Sequence, residues 1–108
     1  MSLTLPPTAV VRVSRGHFDP ARFADVELMT HRTGAYLTPA IQRLPGLLHY
    51  SAAVSASGSV VHVSFWESEA HAQQMSRLKE MIVDARQEAE AVGITFDPIV
   101  NYPIGWNA

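Results

Sequence analysis

Apolar and polar positions alternate at two different periods along this chain, and the switches between them mark its elements. Thr8 to Ser14 (TAVVRVS) is rich in β-branched residues and predicts a first strand. Asp19-Pro20 offers an acceptor side chain at an N-cap and a ring of fixed φ behind it. Phe23, Val26, Met29, Tyr36, Leu37, Ala40 and Leu44 then fall near helical spacing, which predicts a helix from Pro20 to about Leu44, bent near Thr33-Gly34 and stopped by Pro45-Gly46. Leu47 to Val54 reads as a second strand, Ser55 to Gly58 as a turn, and Ser59 to Trp66 as a third strand closing a hairpin. Ser68 is placed to cap a second helix, in which His71, Met75, Leu78, Ile82, Ala85, Ala89 and Val92 recur at spacings of four and three. Gly93 ends that helix, and Ile99 to Ile104 supplies a fourth strand.

The order is βαββαβ. An α+β, ferredoxin-like domain follows: a four-stranded antiparallel sheet with two helices on one face. One such domain accounts for residues 1–108, with its core over about 8–104. The third strand is apolar on both sides, Val61, Val63 and Phe65 on one and Val60 and Trp66 on the other, as suits a strand covered from both directions. The helices cover one face; a second copy of the chain is the economical cover for the other, so a homodimer is expected.

Composition agrees. Hydrophobic residues make up 47% and charged residues only 17%, against about 25% in ordinary globular domains. A net charge of -2 with no basic block gives nucleic acid binding no electrostatic support. The absence of cysteine excludes disulfides, thiolate metal sites and cysteine nucleophiles. No apolar run approaches the ~20 residues that span a bilayer, and the N-terminus lacks a basic region followed by an apolar one. A soluble cytoplasmic protein without membrane association is expected.

Leu44-Pro45-Gly46 before the second strand, the Gly58 turn, and the junction Val63-Ser64-Phe65-Trp66-Glu67-Ser68 leading into an amphipathic helix are together similar to the antibiotic biosynthesis monooxygenase-like domains of the dimeric α/β-barrel superfamily. The resemblance covers about Thr8 to Ile104. It implies two sheets paired into a barrel, a small-molecule pocket between sheet and helices in each subunit, and oxidation of a small phenolic or quinol-like aromatic by O2 with no cofactor. The superfamily also hosts unrelated chemistries and simple binding proteins. A non-catalytic small-molecule-binding or stress-associated barrel, or a non-oxidative isomerase or decarboxylase, therefore stands as the alternative.

By position, the resemblance assigns Trp66 to the pocket wall and His62 to the polar position four residues earlier, where the better-known cofactor-free members favour an amide. Residues two apart in a strand share a face, so His62, Ser64 and Trp66 point together. Trp66 could stack on an aromatic ring, and His62 could take a phenolic proton or hydrogen-bond the anion. The plainer reading makes Trp66 core and His62 a hydrogen-bonded interior histidine. A plausible hairpin register adds His49 and Ser51 to the same face. Two histidines there could begin a metal site, but no carboxylate at ligand spacing completes one, so no metal is expected. Tyr36 and His71 sit on the inner sides of the two helices and, with His49 and Ser64, are secondary candidates for contacting substrate. His17 and Arg86 read as solvated. The haem-degrading relatives use a histidine further along the second helix and an asparagine in the first strand. Met75–Ile82 and Val10–Val13 contain neither. No phosphate-binding glycine loop and no GxSxG elbow occurs.

Overall fold

The computed structural model describes residues 4–108. In chain order the elements are β1 (Val10–His17), a 3₁₀ turn (Pro20–Arg22), α1 (Phe23–Gln42), β2 (Leu47–Ser55), β3 (Ser59–Trp66) and α2 (Glu69–Ala72). A 3₁₀ segment (Gln73–Arg77), a π-helical stretch (Glu80–Ala85), α3 (Arg86–Ala91), β4 (Thr95–Phe96) and β5 (Val100–Pro103) complete the chain. The sheet order is β2-β3-β1-β4, with β5 also on β1, and every pairing is antiparallel. This is the expected ferredoxin-like βαββαβ arrangement, with two departures.

The last strand is longer than Ile99–Ile104 and is broken. β4 and β5 lie on the same edge of β1, at registers Gly16↔Phe96 and Val13↔Val100. Asp97, Pro98 and Ile99 therefore oppose only Ser14 and Arg15, a bulge of one residue. Proline has no N–H for the ladder, so the bulge suits Pro98; the Asp97 N–H still reaches the Arg15 carbonyl at 2.8 Å.

The second helix is not continuous. Leu78 is extended (ψ 109), and it separates the 3₁₀ segment from the π-helical stretch. Its carbonyl accepts from the N–H groups of both Met81 and Ile82, at 3.0 and 2.9 Å, which restarts the helix beyond the break. The apolar stripe survives in part: Met75, Ala85 and Ala89 are buried, whereas Ile82 is exposed. The first helix is more regular than expected. It runs without interruption through Thr33-Gly34 and through Pro39, and the buried Thr33 hydroxyl donates to the Thr30 carbonyl at 3.2 Å.

Two apolar clusters hold the helices to the sheet. One contains Val10, Leu37, Ile41, Trp66, Ala72, Met75 and Ala85. The other contains Phe18, Val26, Met29, Val60, Ala89 and Ile94. Along the helix-facing side of β3, Val60 belongs to one cluster and Trp66 to the other. His62 and Ser64 lie between them, and on β1 Arg12 and Ser14 are their cross-strand partners. The middle of the inner sheet face is thus polar, between two apolar ends. The outer face carries Val11, Val13, Val61, Val63 and Phe65 with Val100 and Tyr102 of β5, the last two exposed.

Candidate functional site

The β2–β3 hairpin decides which side chains enter the site. Its closing pair is Ser55↔Ser59, so the loop is the three residues Ala56-Ser57-Gly58. Gly58 has φ 104, and a Cβ there would lie 2.6 Å from the Phe18 carbonyl oxygen. The Gly58 N–H donates to Ser55 and its carbonyl accepts from the Phe18 N–H, at 3.1 and 2.9 Å. This loop sets the register Tyr50↔Ser64, Ala52↔His62, with His49↔Phe65 and Ser51↔Val63. Directly opposed residues share a face. His49 and Ser51 therefore lie on the outer face, away from His62 and Ser64. His49 meets Phe65 there, ring centroids 6.5 Å apart, and hydrogen-bonds Ser51 at 2.6 Å. The expected register fails because the loop is one residue shorter than the four-residue turn read from Ser55–Gly58, and one residue exchanges the faces. Tyr50 takes the inner position instead.

A cavity of about 260 Å³ lies between the sheet and the helices, its wall drawn from both apolar clusters. Met29, Leu37, Val60, Met75, Met81 and Phe96 give it apolar sides, and Arg12, Ser14, Tyr50, His62 and Ser76 bring polar groups to it. A second cavity, about 390 Å³, lies between α1 and β2. Thr30, Thr33, Leu37, Tyr50 and His62 line both, so the Tyr50–His62 pair stands where the two meet.

Tyr50 Oη and His62 Nδ1 are hydrogen-bonded at 2.6 Å, with the rings edge to face at 86° and 5.6 Å. Burial pulls the His62 pKa down to about 4, so the imidazole is neutral near neutral pH. Burial also pushes the Tyr50 phenol well above its usual range, opposed in part by the positive charge of Arg12. Arg12 is itself only 8% exposed. Its Nη1 donates to Asn101 Oδ1 at 3.2 Å and its Nη2 to Ser76 Oγ at 3.1 Å. Burial lowers its pKa while proximity to Tyr50 acts the other way; a guanidinium remains charged regardless.

The other expected site residues lie elsewhere. Trp66 is fully buried, and its Nε1 donates to the buried Ser64 Oγ at 2.8 Å. Neither residue is on the wall of either cavity. The end of β3 is sealed by Ala72 and Met75, which pack with Trp66 in one cluster, so the indole is core and not a stacking platform. His71 sits in the first turn of α2, capped by Ser68: Ser68 Oγ accepts from its N–H at 3.3 Å and meets its Nδ1 at 2.8 Å. Its ring occupies the space a Cβ on Gly46 (φ 81) would need. Tyr36 donates to Glu88 Oε2 at 2.6 Å, and Glu88 accepts from Arg32 Nε at 2.6 Å, which ties α1 to α3 away from the cavity. Burial and the Glu88 carboxylate push the Tyr36 pKa up to about 12.

Sequence reasoning missed Tyr50, Arg12 and Ser14. Arg12 carried a signal: it is a charge at the centre of a strand whose neighbours are valines. Arg86, read as solvated, is exposed and also contributes to the cavity wall. His17 ends β1 and pairs with Asp97 at 2.8 Å, and Asp97 lines the same cavity. His49 and His62 lie on opposite faces and cannot share an ion; among the described residues no group of three or more metal-ligating side chains comes together. No helix among them is long and apolar enough to cross a membrane.

No protein-family model and no curated protein matches this sequence. Solved structures match it in fold. A putative antibiotic biosynthesis monooxygenase from Deinococcus radiodurans aligns with a TM-score of 0.68 at 15% identity, over 92% of this chain and 95% of that one. The monooxygenase ActVA-Orf6 of Streptomyces coelicolor, in complex with nanaomycin D, gives 0.61 at 23% identity, over 94% and 93%. SnoaB, a cofactor-independent oxygenase from Streptomyces nogalater, gives 0.56 at 18% identity, over 93% and 96%. The chain has the ferredoxin-like fold of the antibiotic biosynthesis monooxygenase-like proteins.

Proposed function

We propose that this protein is a small oxidoreductase, a cofactor-independent monooxygenase acting with O2 on a phenolic or quinol-like aromatic. The observation that carries the proposal is the Tyr50–His62 pair on the wall of an otherwise largely apolar cavity. An aromatic ring packs against the methionines and Phe96, with its hydroxyl at His62. In the tautomer whose Nδ1–H donates to Tyr50 Oη, the neutral imidazole accepts the phenolic hydrogen bond at Nε2. With a pKa near 4 it is a weak base, so the phenolate has to be stabilised where it forms. Arg12 supplies the compensating charge, and the new anion in turn raises the basicity of His62. The electron-rich anion then reduces O2 and combines with it at a ring carbon. For an anthrone-type substrate, the ring CH2 becomes a carbonyl, one oxygen atom is retained there, and the other leaves as water with the two hydrogens.

Two copies pair through the outer sheet face, whose valines, Phe65 and Tyr102 lack cover within the monomer. Light scattering on the purified protein tests this: a dimer is expected, and a monomer at micromolar concentration removes it.

The second reading is a non-catalytic small-molecule-binding barrel, favoured by the weak basicity of His62. Oxygen uptake by metal-free protein against phenols, anthrones and quinols decides between them. Uptake above the protein-free rate, lost in a folded His62→Ala variant, supports oxygenation through His62. No uptake across the panel sinks it in favour of binding or a non-oxidative isomerase or decarboxylase reaction.

A further inference from the structure

Arg12 is a charged residue only 8% exposed, and its guanidinium has no carboxylate partner among the described residues. The ion pairs there are His17–Asp97, Arg22–Asp25, Arg32–Glu88 and Lys79–Asp84. Asp97 is the one acidic residue lining the cavity with Arg12, and it is spent on His17 at the surface. Buried charges are otherwise paired, because leaving water without a counter-ion is costly. The acceptors Arg12 does have, Asn101 Oδ1 and Ser76 Oγ, are neutral and use only part of its donor set. They anchor the guanidinium plane and leave N–H groups over. Ser14, Ser76 and the Tyr50 hydroxyl add further hydrogen-bonding groups to the same wall. This is a positive, partly satisfied and pre-organised group in a cavity whose one carboxylate, Asp97, is paired with His17.

We propose that the natural ligand of the cavity is a small aromatic carboxylate, and that Arg12 receives its carboxylate group. A guanidinium fork matches the two oxygens of a carboxylate. The apolar walls take the ring. An engineered apolar cavity of ~150 Å³ holds benzene, so about 260 Å³ holds one or two rings. This inference rests on the proposed aromatic-binding site and narrows its ligand class, independently of whether oxygen is consumed.

Calorimetric titration with 2-naphthoate and with its uncharged counterpart 2-naphthamide tests it. The wild-type protein should bind the carboxylate about tenfold or more tightly, as a charge-assisted hydrogen bond implies. Arg12→Gln should bring the two ligands level, and Arg12→Lys should restore part of the preference. Equal binding to the wild type, a preference that survives in Arg12→Gln, or no naphthoate binding at millimolar concentration overturns the proposal. Should Arg12→Gln fail to fold, the Arg12 Nε–H resonance of the wild type gives the answer: it moves on adding naphthoate, and an unmoved signal refutes the contact. Oxygen uptake without carboxylate preference sinks this inference and leaves the oxygenase reading standing. Naphthoate binding at Arg12 with no uptake does the reverse.

Discussion

Trp66 and His62 lie four residues apart on the same face of one strand, yet their surroundings are opposite. Trp66 is enclosed: its single N–H is satisfied by Ser64, and α2 closes over it. His62 stands at an opening, bonded to a tyrosine that is itself on the cavity wall. Trp66 is fully buried and His62 half-buried, but each has one polar partner, so hydrogen bonding does not distinguish scaffold from site. The distinction is what lies on the far side of the ring. Packed side chains complete the surroundings of Trp66, and space is left beside His62.

That contrast breaks most readily at the indole. Trp66→Ala should cost about 3–5 kcal/mol of stability, the range for emptying a large aromatic site. Urea denaturation reads it, and a loss below about 1 kcal/mol would mean the indole is not the anchor of its cluster. Acid tests the other end. The His62 pKa is about 4 in the folded protein against 6.5 when unperturbed. Between these values the unfolded chain binds the extra proton, so stability is complete above pH 6.5 and falls as pH drops toward 4. The drop attributable to His62 is about 3 kcal/mol. Denaturation midpoints at pH 4.5 and 7 should therefore differ less in His62→Gln than in the wild type; parallel curves would remove the imidazole as the source. Ser64→Ala leaves the Trp66 N–H buried without its acceptor and should cost about 1–3 kcal/mol, with ligand affinity unchanged. A loss of affinity equal to that of a His62 variant would merge the two regions. Tyr36→Phe is expected to cost about 1 kcal/mol or less and to leave oxygen uptake intact. A drop in uptake would bring Tyr36 back toward the substrate.

The fold was legible because its signals are periodic and repeated. Alternation in β1 and β3 and the four-three stripe after Ser68 each rest on many residues, so no single misreading changes the topology. The site depends on single events. Tyr50 and His49 are adjacent, and only the length of the hairpin loop decides which of them faces inward. The aromatic at the end of β3 was readable as inward-facing, but whether α2 would close over Trp66 depends on packing between distant segments. The break at Leu78 left no mark in the apolar spacing, because the stripe records which side is inward and not the hydrogen-bond pattern beneath it. Arg12 stood out only as a charge among valines. Its meaning required knowing that β1 is a central strand lying under the cavity.

The three-residue connection Ala56-Ser57-Gly58 has a reach beyond its own geometry. Side-chain direction in a strand is a parity, and the loop sets that parity for β2 from His49 to Ser55, as far as the register shift between Leu47 and His49. Adding one residue would turn Tyr50 outward and bring His49 and Ser51 inward together, a wholesale exchange of a phenol for an imidazole and a hydroxyl. Diversification on such a scaffold need not wait for point substitutions at the pocket. An insertion or deletion at an exposed loop tip, away from the ligand, can deal the site a new set of functional groups in one step.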